Sequence, residues 1–284
     1  MFQANFPNRI ICLTEEGTEI LYKIGQEDRL VGISGFTRRP PKARKEKPKV
    51  SNFIDANFDK ILDLKPDLVV GYSDLQRDIA AELIKNGINV FIFNHRSISE
   101  TLSMILQFCS LIGNQKEGNE LVNRYIENLE SAKKDAENFP YRPKVFFEEW
   151  NDPLISSIQW VSELIEICGG ELCFPELNDK SLGKDRILDP DLVIKRNPDI
   201  IIGSWCGKKF KPEKVRARKG WEAINAIKND QLYEIKSEII LQPGPACLTD
   251  GIKEIQSIFR KFHFPETTKQ FRTLQRRGKN ETPR

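Results

Sequence analysis

Few side chains in this sequence could carry out chemistry. The two histidines, His95 and His263, leave little general-base capacity near neutral pH. The motifs G-x-S-x-G, G-x-G-x-x-G and H-E-x-x-H are absent, as is a phosphate-binding loop. Glu148 and Glu149 could serve acid–base catalysis or bind a hard metal ion. Because neighbouring strand residues point to opposite faces, we predict that these carboxylates diverge, one hydrogen-bonded and one solvated. The sequence therefore favours a binding protein over an enzyme.

A metal site also finds little support. His95, in Phe93-Asn-His-Arg96, could be an axial metal ligand, but a single histidine after a strand is typical of a loop residue. The cysteines include no C-x-x-C pair and lack the close spacing of a structural zinc site. Most of them lie in apolar surroundings, which predicts small, reduced core residues: Cys12, Cys109, Cys168, Cys173, Cys206 and Cys247. We therefore predict no bound metal ion and no catalytic cofactor.

Aromatic residues near predicted strand ends are stronger candidates for ligand contact. Trp150 follows a strand at its carboxyl end, where α/β proteins bind ligands, although packing against the strand edge explains it equally well. Trp205 lies just past another strand. An internal repeat of the sequence, described below, matches Tyr72 to the residue next to Trp205. Trp160 fits the core better than a ligand site, and Trp221 looks like a packing anchor.

Four polar residues could add specificity. Gln242, in the loop before the last predicted helix, could offer its amide to a ligand, although an ordinary strand-to-helix turn also explains it. Glu149 could accept a hydrogen bond from a ligand amide. Arg38 and Arg39 could clamp an anionic ligand. The alternative is that the whole segment Arg38–Lys49 is a solvated basic loop without core residues.

Short apolar segments alternate with helical patterns, which predicts an α/β fold with parallel strands. The predicted strands are Arg9–Leu13, Leu30–Ile33, Leu68–Gly71, Asn89–Phe93, Lys144–Glu148, Ile200–Gly203 and Leu232–Ile235. A helical stretch over 98–138 separates the first four strands from the last three. Its second helix, Gln115–Glu137, would be about 34 Å long. We therefore predict two α/β lobes with parallel-type sheets joined by a long rigid backbone helix.

These patterns divide the sequence into an N-terminal lobe at 1–97, a helical linker at 98–142, a C-terminal lobe at 143–264 and a disordered basic tail at 265–284. The net charge of +3 predicts no nucleic-acid partner. The sequence shows no signal-peptide pattern and no apolar run long enough to cross a bilayer. As written, the chain is expected to be a cytoplasmic monomer, and an incomplete N-terminus would instead allow a periplasmic or surface location.

The two halves of the sequence repeat one pattern at an offset of 132 positions. The matched segments are Asn57-Phe-Asp59-Lys-Ile61 with Lys65-Pro-Asp-Leu-Val-Val-Gly71, and Asp189-Pro-Asp191-Leu-Val193 with Asn197-Pro-Asp-Ile-Ile-Ile-Gly203. We predict Asn57 and Asp189 as helix N-caps, and Gly25 and Gly169 as left-handed C-caps of two other matched helices. Two such lobes predict a ligand cleft between them, at the carboxyl ends of the strands.

Several of these motifs resemble the class III substrate-binding proteins of ABC importers. They are Arg9-Ile-Ile-Cys-Leu13, Thr18-Glu19, Leu30-Val-Gly-Ile-Ser34, Pro40-Pro41, the run from Asp59 to Val70, and Gly169-Gly170. The resemblance covers about residues 9–262 and is strongest to the vitamin B12-binding branch of a group that also carries ferric siderophores and haem. It implies two lobes, a rigid helical backbone and a corrinoid that is bound without being chemically changed.

The resemblance also implies roles for four residues. Phe36 and Tyr72 match aromatic positions that line the cleft against the corrin ring. Asp59 and Asp191 match carboxylates, one per lobe, that dock on arginines of the membrane permease. Members of the group usually carry glutamate at these two positions. A metal chelate and an ABC permease are therefore the expected partners.

Two alternatives stay open. An arginine-lined cleft would favour a ferric siderophore, whereas an aromatic cleft would favour a corrinoid or haem. A chain that stays in the cytoplasm would instead handle a corrinoid there, or bind a partner through its paired surface carboxylates, without a role in transport.

Overall fold

The structure is a computed structural model that describes residues 5–265. The strands in this range are β1 (Ile10–Cys12), β2 (Leu30–Ser34), β3 (Lys49–Ser51), β4 (Leu68–Tyr72), β5 (Val90–Phe93), β6 (Lys144–Asn151), β7 (Leu154–Ser156), β8 (Glu171–Leu172), β9 (Ile200–Gly203) and β10 (Leu232–Glu234). The helices are α1 (Glu15–Lys23), α2 (Pro41–Glu46), α3 (Phe58–Asp63), α4 (Arg77–Lys85), α5 (Ile98–Leu111), α6 (Gln115–Ala136), α7 (Gln159–Ile167), α8 (Pro190–Arg196), α9 (Pro212–Arg216), α10 (Asn225–Lys228), α11 (Ser237–Ile240) and α12 (Ile252–His263). The tail predicted at 265–284 lies, apart from Pro265, outside the described residues.

The described chain divides into two compact α/β units. Unit 1 runs through Asn128 and also takes in Glu238–Thr249, while unit 2 comprises Leu129–Ser237 and the residues from Asp250 onward. This division differs from the predicted boundaries at 97 and 142, because α5 and the first part of α6 belong to unit 1. The helix predicted over Gln115–Glu137 is confirmed as α6, and its role as a rigid linker stays a prediction.

Unit 1 is built on a parallel sheet with the strand order β3-β2-β1-β4-β5. The inner strands β1 and β4 are buried along their whole length, as expected for a parallel sheet with both faces covered. The core of this unit is aliphatic and includes Ile11, Val69 and Leu83. All four strands predicted in this half are confirmed.

Unit 2 is built on a sheet with the order β10-β9-β6-β7, in which β8 also pairs with β6. The pairings are parallel except that of β6 with β7, which is antiparallel. Its core is rich in aromatic residues, with Phe146 packed edge-on against Phe174 and Trp221. The three strands predicted here and the packing role of Trp221 are confirmed, and Trp160 is also buried.

The sequence pattern missed β3, β7 and β8, which are only two or three residues long and therefore too short to show alternation. The prediction of a loop without core residues at Arg38–Lys49 is wrong. Helix α2 lies within this segment, and Ala43 is fully buried. The Arg44 guanidinium ties the segment to unit 1 by donating to the backbone carbonyls of Gly35 and Thr37.

The internal repeat is confirmed as two matched helix–strand pairs, α3 with β4 and α8 with β9. The Asn57 side chain accepts from the Lys60 amide, and the Asp189 side chain accepts from the Asp191 amide, so both predicted N-caps are formed. Gly25 and Gly169 follow α1 and α7 with positive φ angles of 69° and 96°, as predicted for left-handed helix ends.

The cysteines are free thiols, and all of them except the exposed Cys206 are buried. The prediction that most of the cysteines are small core residues is therefore confirmed. Among residues 5–265, no helix combines the length and the apolar character that spanning a bilayer requires.

Candidate functional site

Helix α1 carries three carboxylates directly after β1, at the edge where the parallel strands of unit 1 end. Glu15, Glu16 and Glu19 are all buried. The backbone amide of Arg38 donates to Glu15, and the Arg39 guanidinium lies 3.4 Å from Glu19. Burial raises the pKa of Glu15 to about 8 and also raises that of Glu16. Glu15 is therefore largely uncharged at neutral pH.

A small cavity of about 10 Å³ lies beside these residues, lined by Thr14, Glu16, Tyr72 and His95 among others. His95 Nε2 lies 2.9 Å from the Pro243 carbonyl, so Nε2 carries the proton and donates it. Within residues 5–265, His95 Nδ1 and Glu16 Oε2 are buried atoms without a hydrogen-bond partner. Burial lowers the pKa of His95 to about 4, so the imidazole is neutral. His95 therefore lies in the loop after β5, as the sequence indicated, but it is buried there.

Tyr72 is held firmly within unit 1. Its hydroxyl donates to the His95 carbonyl at 3.1 Å and accepts from Arg96 at 2.8 Å, while the Arg96 guanidinium lies 4.9 Å from its ring centroid. The side chain is almost completely buried. Its predicted contact with a ligand stays a prediction, and little of its ring is exposed.

Three large apolar side chains are exposed where strands of unit 1 end. They are Phe36 after β2, Ile54 after β3 and Leu75 after β4, with exposed fractions of 56%, 67% and 48%. Hydrogen bonds join the three loops, since the Gly35 amide donates to Ser51 at 2.7 Å and the Gln76 amide group donates to Phe53 at 2.9 Å. We call Phe36, Ile54 and Leu75 the apolar rim. Sequence reasoning found Phe36 and missed the other two, which follow strands in the same way.

The polar candidate residues of unit 1 differ in the contacts that their side chains make within the protein. Arg39 is paired with Glu19, whereas the Arg38 side chain is exposed two residues beyond Phe36. Gln242 is half-buried and belongs to unit 1, where its backbone carbonyl accepts from Gly244 at 2.9 Å. Arg38 and Gln242 therefore keep side-chain groups that a ligand could use.

In unit 2, Glu148 lies in the middle of β6 and is fully buried. Its carboxylate accepts from both terminal nitrogens of Arg218, at 2.7 and 2.8 Å, and from the Trp205 indole nitrogen at 2.9 Å. Such a bidentate, charge-assisted arrangement is the strong form of ion pair. The prediction that one of the adjacent carboxylates is satisfied by hydrogen bonds is confirmed.

Glu149 diverges from Glu148 as predicted, but it is not simply solvated. Its two carboxylate oxygens lie 2.6 and 3.3 Å from the terminal nitrogens of Arg186. Arg186 is buried and also donates to the Ser156 carbonyl. The prediction of a solvated Glu149 is wrong, because a buried arginine across β7 requires a counter-charge. The ligand contact predicted for Glu149 would have to compete with Arg186.

The two tryptophans near strand ends of unit 2 differ in their environment. Trp150 is half-buried, its indole donates to the Asp152 carbonyl at 2.8 Å, and the Lys208 ammonium lies 3.9 Å from its ring centroid. Trp205 is buried in the core and packs edge-on against Phe210 at 5.1 Å. Its predicted ligand contact stays a prediction, and its visible role is to pack the core and bond Glu148.

The candidate docking residues occupy equivalent positions in the two units. Asp59 lies in the first turn of α3, Asp191 lies in the first turn of α8, and both side chains are exposed. Within residues 5–265, no three His, Cys, Asp or Glu side chains group closely enough to hold a metal ion. The described site residues are thus suited to hold a ligand by apolar contact, hydrogen bonding and charge.

Comparison with known proteins supports this conclusion. Two curated relatives are an uncharacterized ABC transporter substrate-binding lipoprotein of Bacillus subtilis and the vitamin B12-binding protein of Vibrio cholerae. The first is 26% identical, covering 93% of this chain and 82% of that protein. The second is 27% identical, covering 88% of each chain. Neither name supports the cytoplasmic location expected from the sequence, and both describe binding rather than a reaction.

Solved structures share the fold. A possible iron-binding, periplasmic solute-binding protein of Staphylococcus epidermidis has a TM-score of 0.77 at 24% identity, covering 89% of this chain and 99% of that chain. The periplasmic haem-binding protein RhuT of Roseiflexus has a TM-score of 0.76 at 20% identity, with coverages of 89% and 99%. The family described as periplasmic binding protein matches residues 10–239, which is most of the sequence. The chain therefore belongs to the periplasmic binding protein family.

Proposed function

We propose that this chain is the ligand-binding component of an ABC importer, that it acts outside the cytoplasmic membrane, and that its ligand is a corrinoid. The observation that carries the proposal is the apolar rim of unit 1, where three large apolar side chains are exposed after strand ends. A corrin ring has broad apolar faces, and apolar contact with such faces is the main source of affinity in ligand sites. The vitamin B12-binding protein of Vibrio cholerae, at 27% identity, supports the same ligand class.

Polar groups beside the rim suit the edge of the same ligand. A corrin carries amide side groups, and a complete cobalamin also carries a phosphodiester in its nucleotide loop. Gln242 can exchange hydrogen bonds with amides. Arg38 can pair with the phosphodiester, because its guanidinium is exposed beside Phe36 and is not committed to Glu19 as Arg39 is.

Haem or a ferric siderophore is the second candidate ligand. Arg38 favours it, since haem carries propionates and many ferric siderophores are anionic. The names of the Staphylococcus and Roseiflexus structures, which mention iron and haem, point the same way.

A titration followed by calorimetry and by the visible spectrum tests the ligand class, with cyanocobalamin, cobinamide, haem and a ferric siderophore as probes. We expect one-to-one binding of cyanocobalamin, weakened about tenfold or more by Phe36→Ala or Trp150→Ala, because each change removes an aromatic contact of about 1–2 kcal/mol. Ile84→Ala is the matched control, since Ile84 is a large exposed apolar residue on α4. Binding of haem or the siderophore with no response to either corrinoid would replace the corrinoid with the second candidate.

Arg38→Ala tests whether Arg38 binds the phosphodiester of the ligand. Cobinamide lacks the nucleotide loop and its phosphodiester, so the change should weaken cyanocobalamin and leave cobinamide unaffected. Equal weakening of both corrinoids would mean that Arg38 does not bind the phosphodiester.

We further propose that Asp59 and Asp191 contact the permease. Both are exposed acidic residues at the starts of equivalent helices, where a positively charged partner could reach them. Asp59→Arg and Asp191→Arg should reduce ligand uptake by a reconstituted importer at least tenfold while ligand affinity stays the same. Asp63→Arg, an exposed change at the other end of α3, is the control and should transport normally.

A further inference from the structure

Two buried polar atoms without a partner belong to residues that line the small cavity of unit 1. Glu16 lies in the first turn of α1, and His95 lies in the loop after β5. Each residue is only 5% exposed. Among the residues that the structure describes, Glu16 Oε2 and His95 Nδ1 have no hydrogen-bond partner. Because such an atom destabilises the fold by about 1–3 kcal/mol, the pair indicates that the cavity holds an occupant.

The protonation of the two side chains decides which occupant fits. His95 Nε2 donates to the Pro243 carbonyl and the imidazole is neutral, so Nδ1 can only accept a hydrogen bond. The Glu16 carboxyl donates when it is protonated and accepts when it is ionised. The occupant must therefore donate to His95, and it must either accept from Glu16 or donate to it. A water molecule does all of this.

The size and the lining of the cavity also fit one water. A volume of about 10 Å³ is close to the smallest that holds a water, and a buried water makes about two to four hydrogen bonds. Glu16, His95 and Thr14 are polar residues of the lining, whereas cavities that stay dry are lined by apolar groups. A hard metal ion takes about six or more oxygen ligands, and the described part of the chain groups no three metal-binding side chains here.

We propose that this cavity binds one ordered water that bridges Glu16 Oε2 and His95 Nδ1, and that the bridge holds the segment Pro243–Gly244 in place. His95 contacts this segment through the bond from Nε2 to the Pro243 carbonyl, at 2.9 Å. Glu16 contacts it by packing, since a Cβ atom at Gly244 would lie only 3.1 Å from Cβ and Cγ of Glu16. All four residues belong to unit 1. The water therefore closes a ring of contacts around the segment.

The bridge has a consequence for Gln242, which directly precedes this segment. The Gln242 carbonyl accepts from the Gly244 amide at 2.9 Å, so a shift of Gly244 moves Gln242 as well. The water bridge is thus a positioning device for Gln242. This consequence rests on the proposed function, in which Gln242 contacts the ligand, whereas the water site itself does not.

A crystal structure of the full-length chain tests the water site without any substitution. We expect one density peak at about 2.5–3.2 Å from both Glu16 Oε2 and His95 Nδ1. A dry cavity, a peak that reaches only one of the two atoms, or a peak at the shorter distances of a metal ion, about 2.0–2.6 Å, would overturn the proposal.

The ¹⁵N chemical shift of His95 Nδ1 tests the bridge in solution, with His263, the other histidine, as the internal reference. Glu16→Met removes one end of the bridge and should move the Nδ1 resonance toward that of a nitrogen without a hydrogen bond. Glu16→Gln is the matched control, because its amide can both donate to a water and accept from it. The same Nδ1 resonance in the wild type and in Glu16→Met would contradict the bridge.

Titration with cyanocobalamin tests the positioning of Gln242. Glu16→Met should weaken binding severalfold, and Gln242→Ala should then have a smaller effect than it has in the wild type, because Gln242 is already displaced. Additive effects of the two changes would overturn the positioning role. A wild type that binds no corrinoid would count against the proposed function alone, since the density peak and the Nδ1 resonance decide the water site independently.

Discussion

Glu16, just after β1 in unit 1, and Glu148, within β6 in unit 2, are both buried carboxylates, yet their surroundings are opposite. One oxygen of Glu16 has no hydrogen-bond partner within residues 5–265, and burial raises the pKa of this residue. Glu148 accepts three hydrogen bonds, two of them from the Arg218 guanidinium. The first carboxyl is stable in its neutral form, whereas the second is held by a fixed positive charge.

The difference shows two ways in which a protein can bury an acid. A carboxyl that is buried in its neutral form needs no charged partner, but it makes the stability of unit 1 depend on pH. Pairing makes unit 2 depend on particular arginines that lie far away in the sequence, since Arg218 is 70 positions from Glu148 and Arg186 is 37 positions from Glu149. Substitutions at these positions should therefore affect the two units differently.

Arg218→Met is expected to have the largest effect. It leaves the Glu148 carboxylate buried with only the Trp205 indole as a donor, and the loss of one partner of a buried ion pair costs about 3–5 kcal/mol. Urea unfolding measures this loss. Arg196→Met is the control, because Arg196 pairs with Glu176 at a half-exposed position and should cost less than about 1 kcal/mol. A loss equal to that of the control would mean that Glu148 does not depend on its arginine.

Trp205→Phe should have the next largest effect. The ring stays in the core against Phe210, but the hydrogen bond to the Glu148 carboxylate is lost. A hydrogen bond to a charged group contributes about 1.5–3 kcal/mol, so a loss of this size is expected in the free energy of unfolding. In the Arg218→Met background the same change should have a different cost, since both residues bond one carboxylate. Additive costs in this double-mutant cycle would contradict the network.

Glu15 alone should lower the stability of unit 1 by about 2 kcal/mol between pH 6.5 and pH 8. Burial raises the pKa of Glu15 from an ordinary value of 4.5 to about 8, so its contribution is complete below pH 4.5 and is lost as pH rises through 8. Burial lowers the pKa of His95 from 6.5 to about 4, so its contribution is complete above pH 6.5 and is lost as pH falls through 4. Between pH 4.5 and 6.5 the two effects oppose each other.

Thermal unfolding across this pH range measures the effect, and Glu15→Gln serves as the matched variant. The amide cannot ionise, so the variant should lose less stability than the wild type above pH 6.5. A wild type whose stability is flat from pH 6.5 to pH 8 would show that Glu15 is already ionised in the folded protein.

The fold could be predicted from the sequence because its signals are local. The apolar segments at Leu68–Tyr72 and Ile200–Gly203 and the caps Asn57 and Asp189 each depend on a few neighbouring residues. The strands that were missed are short and are formed by pairing with β2 or β6, which a local pattern does not record.

The candidate site was predicted only in part, because its polar contacts join distant residues. Phe36 could be predicted from the family resemblance and Trp150 from its position near the end of a strand, whereas Ile54 and Leu75, which follow strands, were missed. The pairing of Glu149 with Arg186 crosses 37 positions, and no spacing rule marks it. The burial of Trp205 depends on Phe210 and Glu148, which the position after β9 alone does not reveal.

Glu16→Gln should have the smallest effect on stability, and it tests the difference between Glu16 and Glu148 directly. Because burial favours the neutral form of the Glu16 carboxyl, an uncharged amide of the same shape should change stability by less than about 1 kcal/mol at pH 4.5, where the unfolded chain is still about half protonated. At pH 8 the variant should be more stable than the wild type, since ionisation of Glu16 no longer opposes folding. Glu148→Gln should instead destabilise at both pH values, because it leaves the Arg218 guanidinium without its counter-charge. If both glutamines destabilise by the same amount, Glu16 is ionised in the fold and the two units bury their acids in the same way.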